Sequence, residues 1–547
     1  MDLQNKVALV TGGAVGIGFA YARELLRNAV KHVVILDVSP KAGEEAVEKL
    51  NAEFGDSKSF FIAGDVTKSA EFEDAFTKTL QKFGSLDILI NNAGIVNETA
   101  WAKMIDINFN GLVHGTFLGL KYMGKDKGGV IVNIASIYGL DPVASFPVYD
   151  GTKHAVVGFS RSIAMSHEKT GVRVIVMCPG ITETPLVAGA VDGALKLLDV
   201  ETVVAEIKTY AFQKADSVAE GMVQIIRNAP NGTVWVVEDG KPAYQVLIPD
   251  RFSMKASALL EQISNLIPKY PVYYFRDIKF EMQIKGKNVL LTGGAKGLGF
   301  AYAKELLRNG AAHVAILDCE NSNGEGASER LNVEFGKGRA KFFACDVTKP
   351  QELEAGFRNT VEVFGSLDIV INNAALMDDD QWELMISVNV NAVIRGTLLG
   401  LQYMGKDKGG KGGVIVNVAS IFGVTPFPHC PIYVGTKHAV IGLSRSFAMP
   451  YHYEKTGVRI LTLCPGVADD VGKNQEITNL EESTPGSINP INKLPSPKLE
   501  ISVAHGMMFI IRSAQNGSVW VAEGAEPVYE ILIPDCLTMK MAAKDGQ

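Results

Sequence analysis

The stretch Thr11-Gly-Gly-Ala-Val-Gly-Ile-Gly18 follows the apolar run Val7-Ala-Leu-Val10 and leads into Gly18 to Asn28, whose apolar residues recur at helical spacing. A glycine-rich turn between a strand and a helix opens an alternating α/β fold. The same stretch returns as Thr292-Gly-Gly-Ala-Lys-Gly-Leu-Gly299, and Asn91-Asn-Ala-Gly94 returns as Asn372-Asn-Ala-Ala375. Between the copies the offset is 281 at the glycine loop and at Asn108/Asn389, 284 at Tyr149/Tyr433 and 285 at Trp235/Trp520. So slow a drift means short surface insertions, such as the extra residues in Lys408-Gly-Gly-Lys-Gly-Gly413, within two full-length copies. A repeat of this size is a tandem pair of whole domains and not a solenoid. The reading is a first domain over 1–254, a connector over 255–283 and a second domain over 284–547.

Outward from the loop, Val33-Val-Ile-Leu36, Phe60-Phe-Ile-Ala63, Ile88-Leu-Ile90, Val130-Ile-Val132 and Val174-Ile-Val-Met177 are too short for helices and read as strands. Lys41 to Phe54 and Ala70 to Phe83 carry helical periodicity between them. Such alternation predicts two tandem Rossmann-like domains, each a doubly wound parallel sheet with helices on both faces. Ligands in such sheets bind beyond the carboxyl ends of the strands. Ala258 to Ile267 in the connector reads as a short amphipathic helix, and Tyr270-Pro-Val-Tyr-Tyr-Phe275 as an apolar segment lying on a domain surface.

A composition of 47% hydrophobic and 21% charged residues is ordinary for a soluble globular protein. The net charge of -7 supplies no basic footprint for nucleic acid. Cys178, Cys319, Cys345, Cys430, Cys464 and Cys536 show neither CxxC nor metal spacing, so reduced, mostly buried thiols and no metal are expected. The opening Met1-Asp-Leu-Gln-Asn-Lys-Val7 runs straight into the first strand without a secretory signal, and no uninterrupted apolar stretch reaches membrane-spanning length. A cytoplasmic location is the expectation, and the Asn97, Asn231 and Asn516 glycosylation tripeptides are chance matches.

Gly12, Gly16 and Gly18, spaced GxxxGxG, let the backbone approach a pyrophosphate and present helix amino-terminal N–H groups to it. Asp37 ends the second strand, where a carboxylate can accept both adenosine ribose hydroxyls and repel a 2′-phosphate, which favours NAD; a turn or cap aspartate is the alternative. Tyr149 and Lys153 lie four apart on one face of a helix predicted from Val148 to His167. A phenol with an ordinary pKa near ~10 is a poor base, but a neighbouring ammonium and a positively charged nicotinamide would both favour phenolate. Ser136 ends the strand Val130 to Ile134, from where its hydroxyl can hold the oxygen that gains or loses the proton. The trio recurs as Ser420, Tyr433 and Lys437, with the same 13-residue and four-residue steps.

Thr11 to Gly18, Asp65-Val66, Asn91 to Gly94, Asn108, Ser136, Tyr149, Lys153 and Pro179-Gly180 together resemble the short-chain dehydrogenase/reductase family across nearly all of both copies. Within it, Asn97-Glu-Thr-Ala-Trp101, Gly115 to Met123 and Pro147 to His154 resemble NAD-dependent hydroxyprostaglandin dehydrogenases and insect alcohol dehydrogenases. The resemblance implies that Asp65 and Val66 contact adenine, that Asn91 and Gly94 line the cofactor cleft and that Lys153 also binds the nicotinamide ribose. It further implies that Asn108 anchors a water in the proton relay and that Thr184 holds the carboxamide. Ile17, Pro179 and Gly180 complete the implied NAD set, with Gly293, Gly297, Leu298, Gly299, Asp318, Asp346, Val347, Asn372 and Lys437 as counterparts. Asn389, Ser420, Tyr433 and Lys437 complete the second catalytic set. Asn108 as an interior asparagine bonded to backbone, and Thr184 as a helix cap, are the alternatives.

The second copy departs from this pattern at two places. Ala375 replaces the glycine of the Asn-Asn-Ala-Gly turn, and Asp470 stands where Thr184 stands in the first copy. Both predict a weakened second cofactor site. Lys296 resembles the base that NADP-using members place against a 2′-phosphate, whereas Asp318 argues for NAD, and Lys296 also reads as a solvated loop charge. After Pro179-Gly180, Leu186-Val-Ala188, Leu195, Leu197, Leu198, Val203, Val204, Ile207, Tyr210 and Phe212 form either an apolar lid over a lipophilic alcohol or a helix packed on the core. The counterpart from Asn474 to Leu499 holds four prolines among polar residues and reads as a mobile loop. Three functions stay open: an NAD-dependent secondary-alcohol dehydrogenase, an enzyme-derived binding or storage protein, and an active first half with a regulatory second half. Members of this family pair through helices that here hold Asn108 to Met123 and Val148 to His167, so the two halves are expected to dock as a pseudo-symmetric intramolecular dimer.

Overall fold

In the computed structural model the described residues are 1–256, 282–466, 499–524 and 526–541. The expected connector helix, the Tyr270 to Phe275 segment, Asp470 and nearly all of the proline-bearing loop lie outside them. The first half folds as β1 (Val7–Thr11), α1 (Gly16–Arg27), β2 (His32–Asp37), α2 (Pro40–Phe54), β3 (Ser59–Ala63), α3 (Ser69–Phe83) and β4 (Ile88–Asn91). Then come α4 (Trp101–Ile105), α5 (Leu112–Lys127), β5 (Gly129–Ile134), α6 (Pro147–Ala164), α7 (His167–Thr170) and β6 (Val172–Pro179). It closes with α8 (Pro185–Ala188), α9 (Val200–Ile207), α10 (Ala215–Asn228), β7 (Val234–Val237) and β8 (Tyr244–Val246). Strand order is β3-β2-β1-β4-β5-β6-β7-β8, so the order reverses between β1 and β4. The crevice at that reversal is where this architecture takes a ligand.

The second half repeats the pattern as β9 (Asn288–Thr292), β10 (His313–Asp318), β11 (Ala340–Ala344), β12 (Ile369–Asn372), β13 (Gly413–Val418), β14 (Val458–Pro465), β15 (Val519–Ala522) and β16 (Tyr529–Ile531). Its order, β11-β10-β9-β12-β13-β14-β15-β16, matches the first. Seven strands of each sheet are parallel, as expected, but β8 and β16 pair antiparallel to β7 and β15. The six residues between β7 and β8 suffice for a hairpin and not for a crossover, which needs a dozen or more.

Apolar strands buried on both faces supply the core. In the first half Val33, Ile35, Ile88, Ile90, Val130 and Val132 are shut from solvent, and Tyr21 and Leu25 of α1 pack onto them with Met222 and Ile226 of α10. Val289, Leu291, Ile369, Ile371, Tyr302, Leu306 and Met507 do the same in the second. Among the described residues one helical run, Asp379–Met404, is apolar and long enough to cross a membrane (mean hydropathy 1.5), although 61% of its most apolar window is buried, as in the core helix of a domain.

By compactness the chain divides into two units. One comprises Met1–Pro249, Pro426–Gly442 and Pro534–Gln547, the other Asp250–Thr425 and Leu443–Ile533. Inside the first unit the Leu247 N–H donates to Met539 O at 2.8 Å, and the His438 ring lies against Gly158 as the His154 ring does against Gly442. Inside the second, the Leu532 N–H donates to Met254 O at 2.8 Å, and Arg251 forms a part-buried ion pair with Glu523 at 3.0 Å.

Backbone packs closely on backbone where α1 meets β1: a Cβ at Gly18 would fall 2.1 Å from the Gly12 carbonyl oxygen and 2.7 Å from Asn92 Nδ2. Gly18→Ala is therefore expected to cost roughly 3 kcal/mol of stability in urea unfolding. Gly189→Ala, where the nearest atom is 3.6 Å away and φ is negative, should stay within about 0.5 kcal/mol. A Gly18→Ala chain as stable as its parent would contradict the close packing.

Candidate active site

Gly12 and Gly16 adopt φ of +61° and +59°, which turn the chain from β1 into α1 without a side chain in the way. Val15, at the cap position of α1, offers no side-chain bond, so the first-turn N–H groups stay available to an anion. Asp37 Oδ2 accepts the Ala14 N–H at 3.1 Å and its Oδ1 accepts the Ser39 N–H at 3.1 Å. These bonds aim the carboxylate at the glycine loop. Asp65 closes a turn by accepting the Thr67 N–H and hydroxyl at 2.9 and 2.8 Å. One cleft of about 360 Å³ is lined by Gly12, Gly16, Ile17, Gly18, Asp37, Asp65, Val66 and Gly94, and also by Pro179, Gly180 and Thr184. A glycine floor, a free helix amino terminus and a carboxylate at the ribose position fit an adenine dinucleotide.

One residue differs from its expected place. Asn91 does not line the cleft: it ends β4 pointing inward, donating to Asn133 Oδ1 at 2.8 Å and Thr116 Oγ1 at 3.2 Å. Strand alternation puts Asn92, Ala93 and Gly94 at the cleft instead. Asn108 is only 1% exposed, in a π-helical turn (Asp106–Gly111), and it bonds both backbone groups of Ile95 at 2.9 Å as well as Thr152 Oγ1 at 3.3 Å. Thr184 caps α8, its hydroxyl accepting the Val187 N–H at 3.5 Å, and it also lines the cleft.

Ser136, Tyr149 and Lys153 converge on the same cleft. The Ser136 hydroxyl accepts the Tyr138 N–H at 3.2 Å and hydrogen-bonds the Tyr149 phenol. Lys153 Nζ lies 5.5 Å from the centroid of the Tyr149 ring and donates to Ile134 O at 3.0 Å. Sequence spacing led us to expect a phenol lowered by its lysine. The net direction in the cofactor-free chain is the reverse: burial raises Tyr149 above its ordinary value, only partly opposed by Ser136, and burial pushes Lys153 down to about 8. Taking each group out of water disfavours its charged form.

Beyond them the cleft is apolar. Tyr138, Phe146, Ile95, Val96 and Ile107 line it, none of them singled out in the sequence because aromatic and branched residues in loops carry no spacing signal. Tyr138 packs edge-on against Tyr149 and Tyr210, with ring centroids 6.4 and 5.5 Å apart. Of the expected lid, Leu186, Val187 and Ile207 face the cleft, whereas Leu195, Leu198 and Val203 are buried as packing residues and Phe212 is exposed. The Glu206 carboxylate accepts the Ala144 and Ser145 N–H groups at 2.8 and 2.9 Å, which fastens α9 to the loop before α6. Glu98 was also passed over. It is 2% exposed and accepts the Val148 and Tyr149 N–H groups at 3.1 and 2.9 Å.

In the second half, Gly293 and Gly297 repeat the positive φ at +66° and +54°, and Asp318 Oδ2 accepts the Ala295 N–H at 2.9 Å. Gly299 meets the Gly293 carbonyl as Gly18 meets Gly12, and Leu298 packs on the core. Asp346 closes the turn to Thr348, Val347 is buried, and Asn372 points inward to Asn417 Oδ1 at 2.8 Å, so it shares the correction made for Asn91. Asn389 bonds Leu376 through both backbone groups at 2.8 Å, and Ser420 accepts the Phe422 N–H at 3.2 Å. These residues belong to the second compact unit. Tyr433 and Lys437, with Nζ 5.6 Å from the ring centroid, belong to the first.

The sequence profile of the short chain dehydrogenase family matches residues 6–194 and 287–481. The chain belongs to that family. The first of the curated relatives is the 15-hydroxyprostaglandin dehydrogenase [NAD(+)] of Mus musculus, 38% identical over 250 residues that make up 44% of this chain and 93% of the relative. Alcohol dehydrogenase 2 of Ceratitis capitata is 32% identical over 243 residues, again 44% of this chain and 93% of the relative. A crystal structure of the C-domain of a bacterial malonyl-CoA reductase with NADP aligns with a TM-score of 0.66 at 14% identity, over 93% of this chain and 96% of that one. That likeness is one of fold.

The Lys153 shift sets a pH dependence. The unfolded chain holds this proton up to about 10.5 and the folded chain only to about 8, so between those values the unfolded state binds more protons and stability rises with pH. Relative to Lys153→Met, the cofactor-free parent should gain up to ~3 kcal/mol from pH 8 to 10.5 in denaturant titrations. Parallel pH curves for the two proteins would rule this out.

Proposed function

We propose that the first half oxidises a lipophilic secondary alcohol to its ketone, or the reverse, through a proton relay of Ser136, Tyr149, Lys153 and Asn108. The coarser statement stands without that proposal: this is a short-chain dehydrogenase, an oxidoreductase that works with NAD on small-molecule alcohols and ketones. What carries the finer reading is a single cleft lined together by the glycines and Asp37 of a dinucleotide cradle, by Ser136, Tyr149 and Lys153, and by the apolar Tyr138, Phe146 and Ile207.

The bound dinucleotide supplies the hydride acceptor and a positive charge beside the phenol. Tyr149 takes the alcohol proton, and the Ser136 hydroxyl holds the substrate oxygen in line with it. Lys153, held by Ile134 O, has its ammonium beside the ring, where it stabilises the phenolate. Gly94 leaves the gap between Asn108 and Lys153 open, since a Cβ there would fall 3.3 Å from Asn108 Oδ1 and 3.7 Å from Lys153 Nζ. That gap suits a water handing the proton onward. In the second half Ala375 puts a methyl at the corresponding place, which supports a second reading: a second half that binds nucleotide and turns over slowly or not at all.

Tyr149→Phe should lower kcat for alcohol oxidation on the order of 10³-fold, with the NAD dissociation constant changed less than about twofold. Full activity in Tyr149→Phe together with its loss in Tyr433→Phe would place the chemistry in the second half and overturn this reading.

We further propose that the two halves pair through α5, α6 and their counterparts. Support comes from the first unit, where His154 and His438 occupy corresponding positions in the two copies and each meets the glycine that corresponds to the other's. Small-angle scattering of the intact chain should give one compact particle, and Leu118→Asp should open it. Two independently tumbling domains in the parent would overturn the pairing. We also propose a cytoplasmic location, where cysteines that form no disulfide stay reduced.

A further inference from the structure

The helix that carries Tyr149 and Lys153 begins without a local cap. Pro147 at its start has no N–H to offer, and Phe146 before it makes no side-chain bond. The first orphan donors of α6 are therefore the Val148 and Tyr149 amides, which the start of an α-helix leaves without intrahelical partners. Both are taken by one side chain some 50 residues upstream: Glu98 Oε2 accepts from Val148 at 3.1 Å and Oε1 from Tyr149 at 2.9 Å. The Glu98 backbone also reaches the other way, its N–H donating to Gly193 O at 2.6 Å in the segment that follows α8 over the cleft.

We propose that Glu98 is a positioning residue for the proton transfer, its buried carboxylate fixing the first turn of α6, and with it the Tyr149 phenol, while its backbone ties that position to the lid. The inference rests on the reading of the first half as a dehydrogenase. A carboxyl this deeply buried is costly, and burial pushes it up to about 8 despite the two N–H bonds it accepts. An apolar residue would fill the space at less cost but would leave two amides unpaired directly beside the reacting phenol. The second copy keeps an acid at the matching position, Asp379, one methylene shorter.

The geometry dictates how the variants differ. Glutamine keeps the shape but only one acceptor oxygen, so Glu98→Gln satisfies one of the two amides, and Glu98→Ala satisfies neither. In the full-length chain, hydrogen exchange should accelerate at one of Val148 and Tyr149 in the first variant and at both in the second. The kcat for alcohol oxidation should fall roughly 10- to 100-fold, with the NAD dissociation constant within about twofold of the parent, as expected when a reacting group is displaced by a fraction of an ångström. Glu98→Asp should recover part of kcat, a graded rescue that loss of packing alone would not produce. If Glu98→Ala fails to fold, the isosteric Glu98→Gln decides.

Parental protection of both amides in Glu98→Gln, or an unchanged kcat, would overturn the proposal, as would a fall in kcat matched by an equal loss of NAD binding. Should the parent turn over no alcohol, the functional reading fails by itself. The inference is then still decided by exchange at the two amides.

Discussion

Thr11 and Asn92 hold the carboxyl ends of β1 and β4 together, and the geometry of the cleft depends on that clasp. The Thr11 hydroxyl accepts the Asn92 and Ala93 N–H groups at 2.9 and 3.0 Å, while Asn92 Nδ2 donates to the Thr11 and Gly12 carbonyls at 2.9 and 3.1 Å. Parallel strands diverge at a switch point, which opens the crevice but leaves its rim without sheet hydrogen bonds. The clasp supplies them by side chain. It fixes the glycine loop and the Asn-Asn-Ala-Gly turn relative to each other, and the second half repeats it with Thr292, Asn373 and Ala374.

From that rim the site is built by competition between burial and hydrogen bonding. Tyr149 and Lys153 are both nearly closed off from water, and in the cofactor-free chain desolvation moves each away from its charged form. Glu98 stands in the same balance, since burial disfavours its charge and two amides favour it. Three costly groups lie around one helix start, a concentration typical of places where proton chemistry is done.

The two copies show how much divergence this frame tolerates. Backbone angles at the glycine loops, the inward asparagines and the serine caps agree between halves. Among the differences, three fall on residues that line the cleft in the first half: Gly94 against Ala375, Tyr138 against Phe422 and Val38 against Cys319. Changes of that kind leave the core intact and alter what the cleft can hold.

Fold class was legible in the residues alone, because short branched strands between helical segments leave no other economical arrangement, and the duplication confirmed each motif by repeating it. The grouping of Tyr149 with Lys153 was legible for the same reason, since a four-residue step on a helix dictates a shared face. Tertiary structure decided what depends on direction and on distance across the chain. Whether Asn91 faces the cleft or the core turns on strand alternation at one residue, and Asn92 shows the opposite outcome. Glu98 caps a helix some 50 positions away, a bond no local pattern announces. The direction in which Tyr149 and Lys153 shift depends on how much water the surrounding fold removes, and that is a property of the packed chain and not of any motif within it.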